Sequence, residues 1–504
     1  MKKYILFCIC MVAFIIVPIS TQSAELFPAT VRVGLYYDSS ARSMYELTSD
    51  SGFNVMISNG QDNSTVSFSD KLLKVYTSDL DTFTSLKRNI RDKQAASEYA
   101  SEHAHNGADT YLLFDGTWSL WTKSNSNQFS SGGAYLVIKG DMKNPGLLIP
   151  FKGHQAVVFE SRSPEGLIGV EGRRYRGILR MTPATGGNIQ LVNELGLQEY
   201  LYGVVPLEVT PSWPEDFLKA QAVAARTYTI ANLSKWEKYG FDVGANSGDQ
   251  LYGGYDAENL RTNKAVDETA GQVILYKGEP IMAFYHADSG GRTEACNDVF
   301  SSDLPYLQPV DDIFYANSPH SEWETSLSLK DINDRASAIV QEIGEIRQIS
   351  IAERSNSGRV KKLLLIGKFG EKAIEKSQIR SILGLKSNFF DILGGDTVLA
   401  VAVSSENVKK DIRLKGNSVL TGQGKTRLSG GEIFMLAAET SKVLRTQASE
   451  DVYIFRGRGF GHGVGMSQWG AKAMAENGYN YLDILLHYYK NTEIKSLTEV
   501  FYTR

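Results

Sequence analysis

Residues 202–214, Tyr-Gly-Val-Val-Pro-Leu-Glu-Val-Thr-Pro-Ser-Trp-Pro, set a single carboxylate, Glu208, among Val205, Pro206, Leu207 and Val209 just ahead of a helix start. Ser212 is placed to cap that helix, Pro214 loses no needed donor in the first turn, and Glu215 can return a bond to the cap backbone. Ala220, Ala222, Ala224 and Ala225 favour helix and admit a close neighbour, so the spacing predicts a helix to about Trp236. An apolar setting disfavours the ionised carboxyl and raises its pKa, which suits Glu208 to general-acid work. On this segment alone an exposed loop glutamate is the competing reading. Glu215 is the weaker acid candidate, because the capping box already accounts for it. Within the alanine-rich stretch Gln221 and Arg226 are the polar exceptions. At about 100° per residue they lie roughly 140° apart, so one of the two is expected to be structural, and Arg226 could equally hold a carboxylate in the fold.

Outward from this segment, short alternating strands are expected at 135–139, 156–160, 175–180 and 188–192 before it, and at 272–275 and 281–286 after it. A polar helical stretch follows at 329–343, then strands near 349–353 and 360–366, a polar insertion at 404–430, and a last helix from Ser467 to about Asn477. Upstream, 31–37 alternate in the strand manner, 49–52 turn before 53–57, and 86–104 can form a helix ahead of 110–114 and 117–121. The expected class is α+β: a mixed-strand catalytic core over 134–500 with two marked helices, and a small α+β accessory domain at 25–130. The Ser-, Asn- and Gly-rich stretch at 124–133 is the expected linker, so a chain starting near Gly133 is expected to fold.

The 504 residues suggest about three compact units. Fifty-three basic against 57 acidic side chains leave a net charge of −4, which argues against nucleic acid as a partner. Lys2 and Lys3, the apolar run 4–19, and Ser23 and Ala24 follow the order of a secretory signal over 1–24, with an uncleaved membrane anchor as the alternative. Cys8 and Cys10 lie inside that segment, leaving Cys296 alone and excluding an internal disulfide from the exported part. The expected location is extracytoplasmic, secreted or anchored at the wall.

Three further segments carry polar side chains between glycines: Gly248-Asp-Gln-Leu-Tyr-Gly-Gly254, Phe284-Tyr-His-Ala-Asp-Ser-Gly-Gly-Arg-Thr-Glu294 and Gly459-Phe-Gly-His-Gly-Val-Gly-Met-Ser-Gln-Trp-Gly-Ala471. The glycines at 457, 459, 461, 463 and 465 permit tight turns and close backbone approach. They lack the Lys-Ser or Lys-Thr of a phosphate loop, and 465–469 does not meet the nucleophile-elbow pattern. A Ser467–His462 hydrolase is therefore disfavoured. His462, Ser467 and Gln468 read as groove-lining hydrogen-bonding groups, with plain loop structure as the alternative. His286, Asp288 and Cys296 form the one metal-like cluster, but structural zinc wants four ligands, so neither metal nor cofactor is expected.

Together with 201–228, these segments resemble the SpoIID/LytB family, whose members include a peptidoglycan lytic transglycosylase and amidase enhancers. The likeness covers roughly 165–495, extends to Ser357-Gly-Arg-Val360 and Leu383-Gly-Leu-Lys-Ser387, and makes 393–445 an insertion. Residues 31–37 and 107–121 resemble, more faintly, a SPOR-type glycan-binding module. The resemblance implies that Glu208 is the catalytic glutamate. It would cleave between N-acetylmuramic acid and N-acetylglucosamine with closure of a 1,6-anhydro ring. Gln221, Arg226, Tyr285, Ser289, His462, Ser467 and Gln468 are the expected substrate-binding set. Glycan strands of peptidoglycan are the expected partner, in a sporulation setting or otherwise. In the alternative, the chain is a non-catalytic wall-binding activator of a cell-wall amidase.

Overall fold

The structure, a computed structural model, describes residues 30–497 except 59–62, 105–108, 115–116, 125–133, 141–143, 153–155, 301, 313, 315–317 and several stretches between 395 and 451. Between 399 and 444 it describes strand backbones only, as three antiparallel hairpins beginning with Leu399–Val403 against Val408–Ile412. The expected leader at 1–24, almost all of the expected linker and much of the expected insertion lie outside the described residues.

The α+β class holds, with strands dominating the first half. A seven-stranded sheet runs in the order Val243–Gly244, Thr30–Tyr36, Ile189–Gly196, Ile178–Pro183, Val157–Ser161, Phe53–Ser58, Asn63–Phe68. A nine-stranded sheet holds Met44–Thr48 and Leu72–Ser78 beside Tyr135–Gly140 and Gly146–Pro150, with Thr110–Phe114 next in line. Period-two alternation explains these strands: Val31 and Val33 are buried while Arg32 between them reaches outward to Asp242 at 2.8 Å. Strands from both sides of 124–133 thus share both sheets. One continuous hydrophobic core joins Val33, Phe53 and Leu147 to Tyr200, Ala224 and Tyr489. The 25–130 unit expected from the sequence is therefore part of one body with the strands that follow. Alternation announces a strand but not its partner, and the first strand finds its antiparallel partner at Ile189–Gly196.

The chain passes from Ile189–Gly196 directly into a helix, Leu197–Glu208, which buries Tyr200, Leu201, Val204 and Val205. Gly203 lets the 248–254 segment cross closely, since a Cβ there would stand 2.7 Å from the Tyr252 ring. The alanine-rich helix, Glu215–Ala231, is buried along nearly its whole length. It packs against Leu197–Glu208, Leu260–Glu268, Gln468–Glu476 and Tyr481–Tyr488. Two details differ from expectation. Pro214, not Ser212, holds the N-cap position, with no side-chain cap bond, because its extended backbone (φ −55°, ψ 145°) sets the entry. The helix stops at Ala231 rather than Trp236, where the Asn232 side chain donates back to the Tyr228 carbonyl at 2.8 Å and Ser234 turns to φ 64°.

A second core forms within 323–394 and 452–457, around Trp323, Ile332, Leu363, Phe390 and Phe455. It is built on the sheet Trp323–Ser328, Val452–Gly457, Phe390–Gly394 and the meander Ile346–Arg354, Val360–Gly367, Glu371–Glu375. This body interrupts the first one. Tyr285–His286 before it and Met466–Ser467 after it pair in parallel.

A chain starting at Gly133 would lack Val33, Leu47, Phe53, Val55, Leu73 and Val75, all buried. Removing partners of such side chains costs about 1.5–3 kcal/mol each, which rivals a typical total stability of about 5–15 kcal/mol. That chain should be unfolded or insoluble by near-ultraviolet circular dichroism and limited proteolysis. A soluble species with a cooperative melt would place a true boundary there.

Candidate active site

Glu208 is the last residue of its helix, and Val209 leaves it in an extended conformation (φ −144°, ψ 157°). The side chain is half-buried, so the exposed-loop reading does not hold. Its Oε1 accepts the Leu251 N–H at 2.9 Å, and the Tyr285 hydroxyl donates to the same carboxyl. Burial raises the Glu208 pKa above the usual carboxylate range, against the pull of those two hydrogen bonds. The C-terminal end of the helix dipole disfavours the anion further. Leu207 and Leu251, 44% and 41% exposed, form an apolar rim that leaves the carboxyl reachable.

Behind the carboxyl stands a buried amide, Gln250. Its Nε2 donates to the Tyr285 oxygen at 3.1 Å and to the Ala225 carbonyl at 3.3 Å. Its Oε1 accepts from the Tyr200 hydroxyl at 3.2 Å and from Thr229 Oγ1 at 2.8 Å. With both ends of the amide occupied, the Tyr285 oxygen receives a bond from Gln250 and keeps its own proton for Glu208. The sequence reading named Tyr285 but missed Gln250, Tyr200 and Thr229. Gln250 sits in the quoted 248–254 segment, where a polar side chain next to Leu251 and Tyr252 was the available signal.

On the other side Gln468 opens the helix Gln468–Glu476, and its Nε2 lies 3.4 Å from both the Glu208 carbonyl and Gln221 Oε1. Gln221 is wholly buried, and its Nε2 has no partner among the described residues. Trp213 and Trp469, both half-buried, meet edge-on at 4.9 Å beside this pair. Glu208, Tyr285, Gln221 and Gln468 are thus brought together.

The other expected ligand-binding residues are engaged in the fold. Arg226 is buried and donates to Gln198 Oε1 and the Val266 carbonyl at 3.0 Å, and to the Gln272 carbonyl at 3.2 Å. Desolvation lowers its pKa to about 10. Arg226 is the structural member of the expected pair, holding carbonyls and an amide rather than a carboxylate. Ser289 and Ser467 are fully buried. Ser289 donates to Asp312 Oδ2 at 2.6 Å, while Ser467 caps its helix by accepting the Gly470 N–H at 3.3 Å. His462 Nδ1 accepts the Val464 N–H at 3.0 Å, its ring packs 5.4 Å from His286 and Phe300, and burial lowers its pKa to about 3. The glycine run serves close approach within the chain: a Cβ on Gly465 (φ 73°) would stand 2.0 Å from the Phe284 carbonyl. His286 Nδ1 pairs with the Val464 carbonyl at 3.1 Å and Cys296 is a buried core thiol. Among the described residues no group of three or more His, Cys, Asp or Glu is arranged to hold a metal. Glu215 lies between Lys219 at 3.1 Å and Lys264 at 3.3 Å, and their hydrogen bonds lower its pKa to about 2, so it is a solvated anion rather than an acid. Because Arg226 closes acceptors that have no water to turn to, Arg226→Ala should cost at least about 3 kcal/mol in urea unfolding. An unchanged midpoint would return Arg226 to the ligand-facing set.

Residues 185–276, which carry Glu208, Gln221, Gln250 and Leu251, match the family model described as stage II sporulation protein, and 305–424 match a domain of unknown function. The chain is 30% identical over 347 residues to an uncharacterized protein of Brachyspira hyodysenteriae, covering 69% of this chain and 78% of that one. It is 32% identical over 411 residues to the amidase enhancer of Bacillus subtilis, covering 80% of this chain and 53% of the enhancer, and so spans about half the length of that relative. It is 27% identical over 318 residues to stage II sporulation protein D of Bacillus amyloliquefaciens, covering 60% and 75%. A glutamate at a helix end, braced by the 248–254 and 284–294 segments and reached by 459–471, joins the four quoted motifs in one place, and the chain belongs to the SpoIID/LytB family.

Proposed function

We propose that the protein is a peptidoglycan lytic transglycosylase in which Glu208 serves in turn as acid and base. One observation carries this reading: a carboxyl whose burial favours the proton sits at an open apolar rim, with two fixed donors ready to receive the anion. Protonated Glu208 gives its proton to the oxygen linking N-acetylmuramic acid to N-acetylglucosamine as that bond breaks. The resulting carboxylate, held by the Leu251 N–H and the Tyr285 hydroxyl, takes the proton of the muramoyl C6 hydroxyl as this oxygen attacks C1. The 1,6-anhydro ring closes, the glutamate is protonated again, and no water is consumed. A hydrolase would need a second carboxylate to activate water. Asp249, on the same loop, is spent on the Trp236 Nε1–H at 2.7 Å, the Gly244 N–H at 2.8 Å and Lys235, with its side chain 1% exposed.

The second reading, a wall-binding activator of an amidase, is favoured by the likeness to the amidase enhancer over 80% of this chain. Both readings place the protein on peptidoglycan outside the cytoplasmic membrane, with glycan strands, and in the second case an amidase, as partners. No helix of the described residues is long and apolar enough to cross a membrane.

Mass spectrometry of purified wall after incubation separates the two readings, because only the transglycosylase leaves anhydromuramoyl ends. Glu208→Gln should lower their release by about 10²- to 10⁴-fold while leaving glycan binding and melting temperature close to the parent. Glu215→Gln is the matched control and should keep its activity. Equal rates for the Glu208 variant and the parent would remove the assignment. The acid step needs the protonated form, so activity should fall as pH rises through the raised Glu208 pKa. Tyr285 stabilises the anion, and Tyr285→Phe should therefore raise that pKa further and move the alkaline limb to higher pH. A limb that stays put or moves down would contradict the role given to Tyr285.

A further inference from the structure

Away from Glu208, the turn after the alanine-rich helix gathers four aromatic rings that the reaction does not use. Phe241 is fully buried and sits on the first strand, where a Cβ on Gly34 would stand 2.6 Å from its ring. Around it stand Tyr37 at 4.6 Å, Tyr239 at 6.0 Å and 18°, and Trp236 at 6.2 Å and 29°. These three rings are only half-buried. A cluster that merely closed a core would be covered. Here one ring is covered and three remain partly open to solvent.

The cluster is rigidly tied to the catalytic loop. The Trp236 Nε1–H donates to Asp249 Oδ2 at 2.7 Å, and the Asn246 side chain donates to the Tyr37 hydroxyl at 3.1 Å. Asp249 is two residues from Leu251, whose N–H holds the Glu208 carboxyl. Two residues span at most about 7 Å, so this chain of contacts keeps the aromatic surface within a few sugar units of the acid. Residues 246–248 are exposed beside the surface, and the exposed Lys235 and Lys238 side chains lay their ammoniums over the Trp236 and Tyr239 rings at 5.7 and 4.6 Å. A sugar stacking there would displace solvated side chains rather than packed core. Flat rings that expose apolar area at little entropic cost, rimmed by hydrogen-bonding groups, suit the C–H faces and hydroxyls of hexopyranoses.

We propose that Tyr37, Trp236 and Tyr239 form a remote glycan subsite that grips an N-acetylated sugar of the same strand one disaccharide or more from the scissile bond. The inference rests on the glycan-strand reading of Glu208 and adds a second point of purchase. Binding energy gathered there fixes the register of the strand at the acid and favours long chains over short ones.

The test measures binding of purified, size-graded peptidoglycan oligosaccharides to the full chain carrying Glu208→Gln, by calorimetry. Trp236→Ala and Tyr239→Ala, each checked for an unchanged melt, should weaken long oligosaccharides about two- to tenfold per ring and leave a disaccharide unaffected. Trp236→Phe keeps a flat ring without the bond to Asp249 and should recover most of the loss. Should Trp236→Ala not fold, Tyr239→Ala at the rim decides alone. Unchanged affinity for long chains overturns the proposal, as does an equal loss at every length or a parent that binds no glycan. If long-chain binding depends on the rings while protein with native Glu208 releases no anhydro ends, the subsite stands and the transglycosylase reading falls.

Discussion

The enclosure of the alanine-rich helix governs the rest of the site. Glu215–Ala231 has neighbours nearly all round, and its alanines let four other helices and a strand approach. Beyond its exposed first turn a polar side chain on this helix cannot lean on solvent, and most find partners in the fold, the Gln221 Nε2 being an exception among the described residues. Arg226 and Thr229 meet that demand with named acceptors, and so does the Gln250 amide laid against the Ala225 carbonyl. The Glu208 carboxyl inherits its surroundings from this crowding. Tyr285 points its proton at Glu208 because Gln250 has no freedom to turn, and Gln250 has none because Tyr200 and Thr229 hold its other end.

How much of this was legible in the sequence differs by level. The α+β class, the alanine-rich helix and the isolation of Glu208 in an apolar segment could be read directly, since each rests on spacing within a dozen residues. Sheet partners could not. Thr30–Tyr36 and Ile189–Gly196 are both plain alternating strands, and nothing local says that they pair. The helix end was overrun because the 232–236 stretch does not advertise the Asn232 bond to Tyr228 that stops it. Among candidate ligands, residue type tells what can hydrogen-bond but not with whom. Ser289 and Ser467 look as suited to a substrate as Gln468, yet Asp312 and the Gly470 N–H claim them. The angular argument separated Gln221 from Arg226, which do reach different neighbours, but both are buried, so helix geometry alone does not say which of them meets a ligand.

The interruption of the first body by the second has a temporal consequence. Synthesis delivers Glu208, Gln221 and Gln250 early, whereas Gln468 and the strand that pairs with Tyr285–His286 arrive only after the whole 323–457 body. Closing so wide a loop carries an entropic penalty, eased once the intervening body has folded and brought its ends together. A nascent chain therefore holds its acid for most of its own production without the residues that complete the cleft. The surroundings of Glu208 are thus completed late in synthesis, and the finished site cannot exist until nearly all of the chain has emerged.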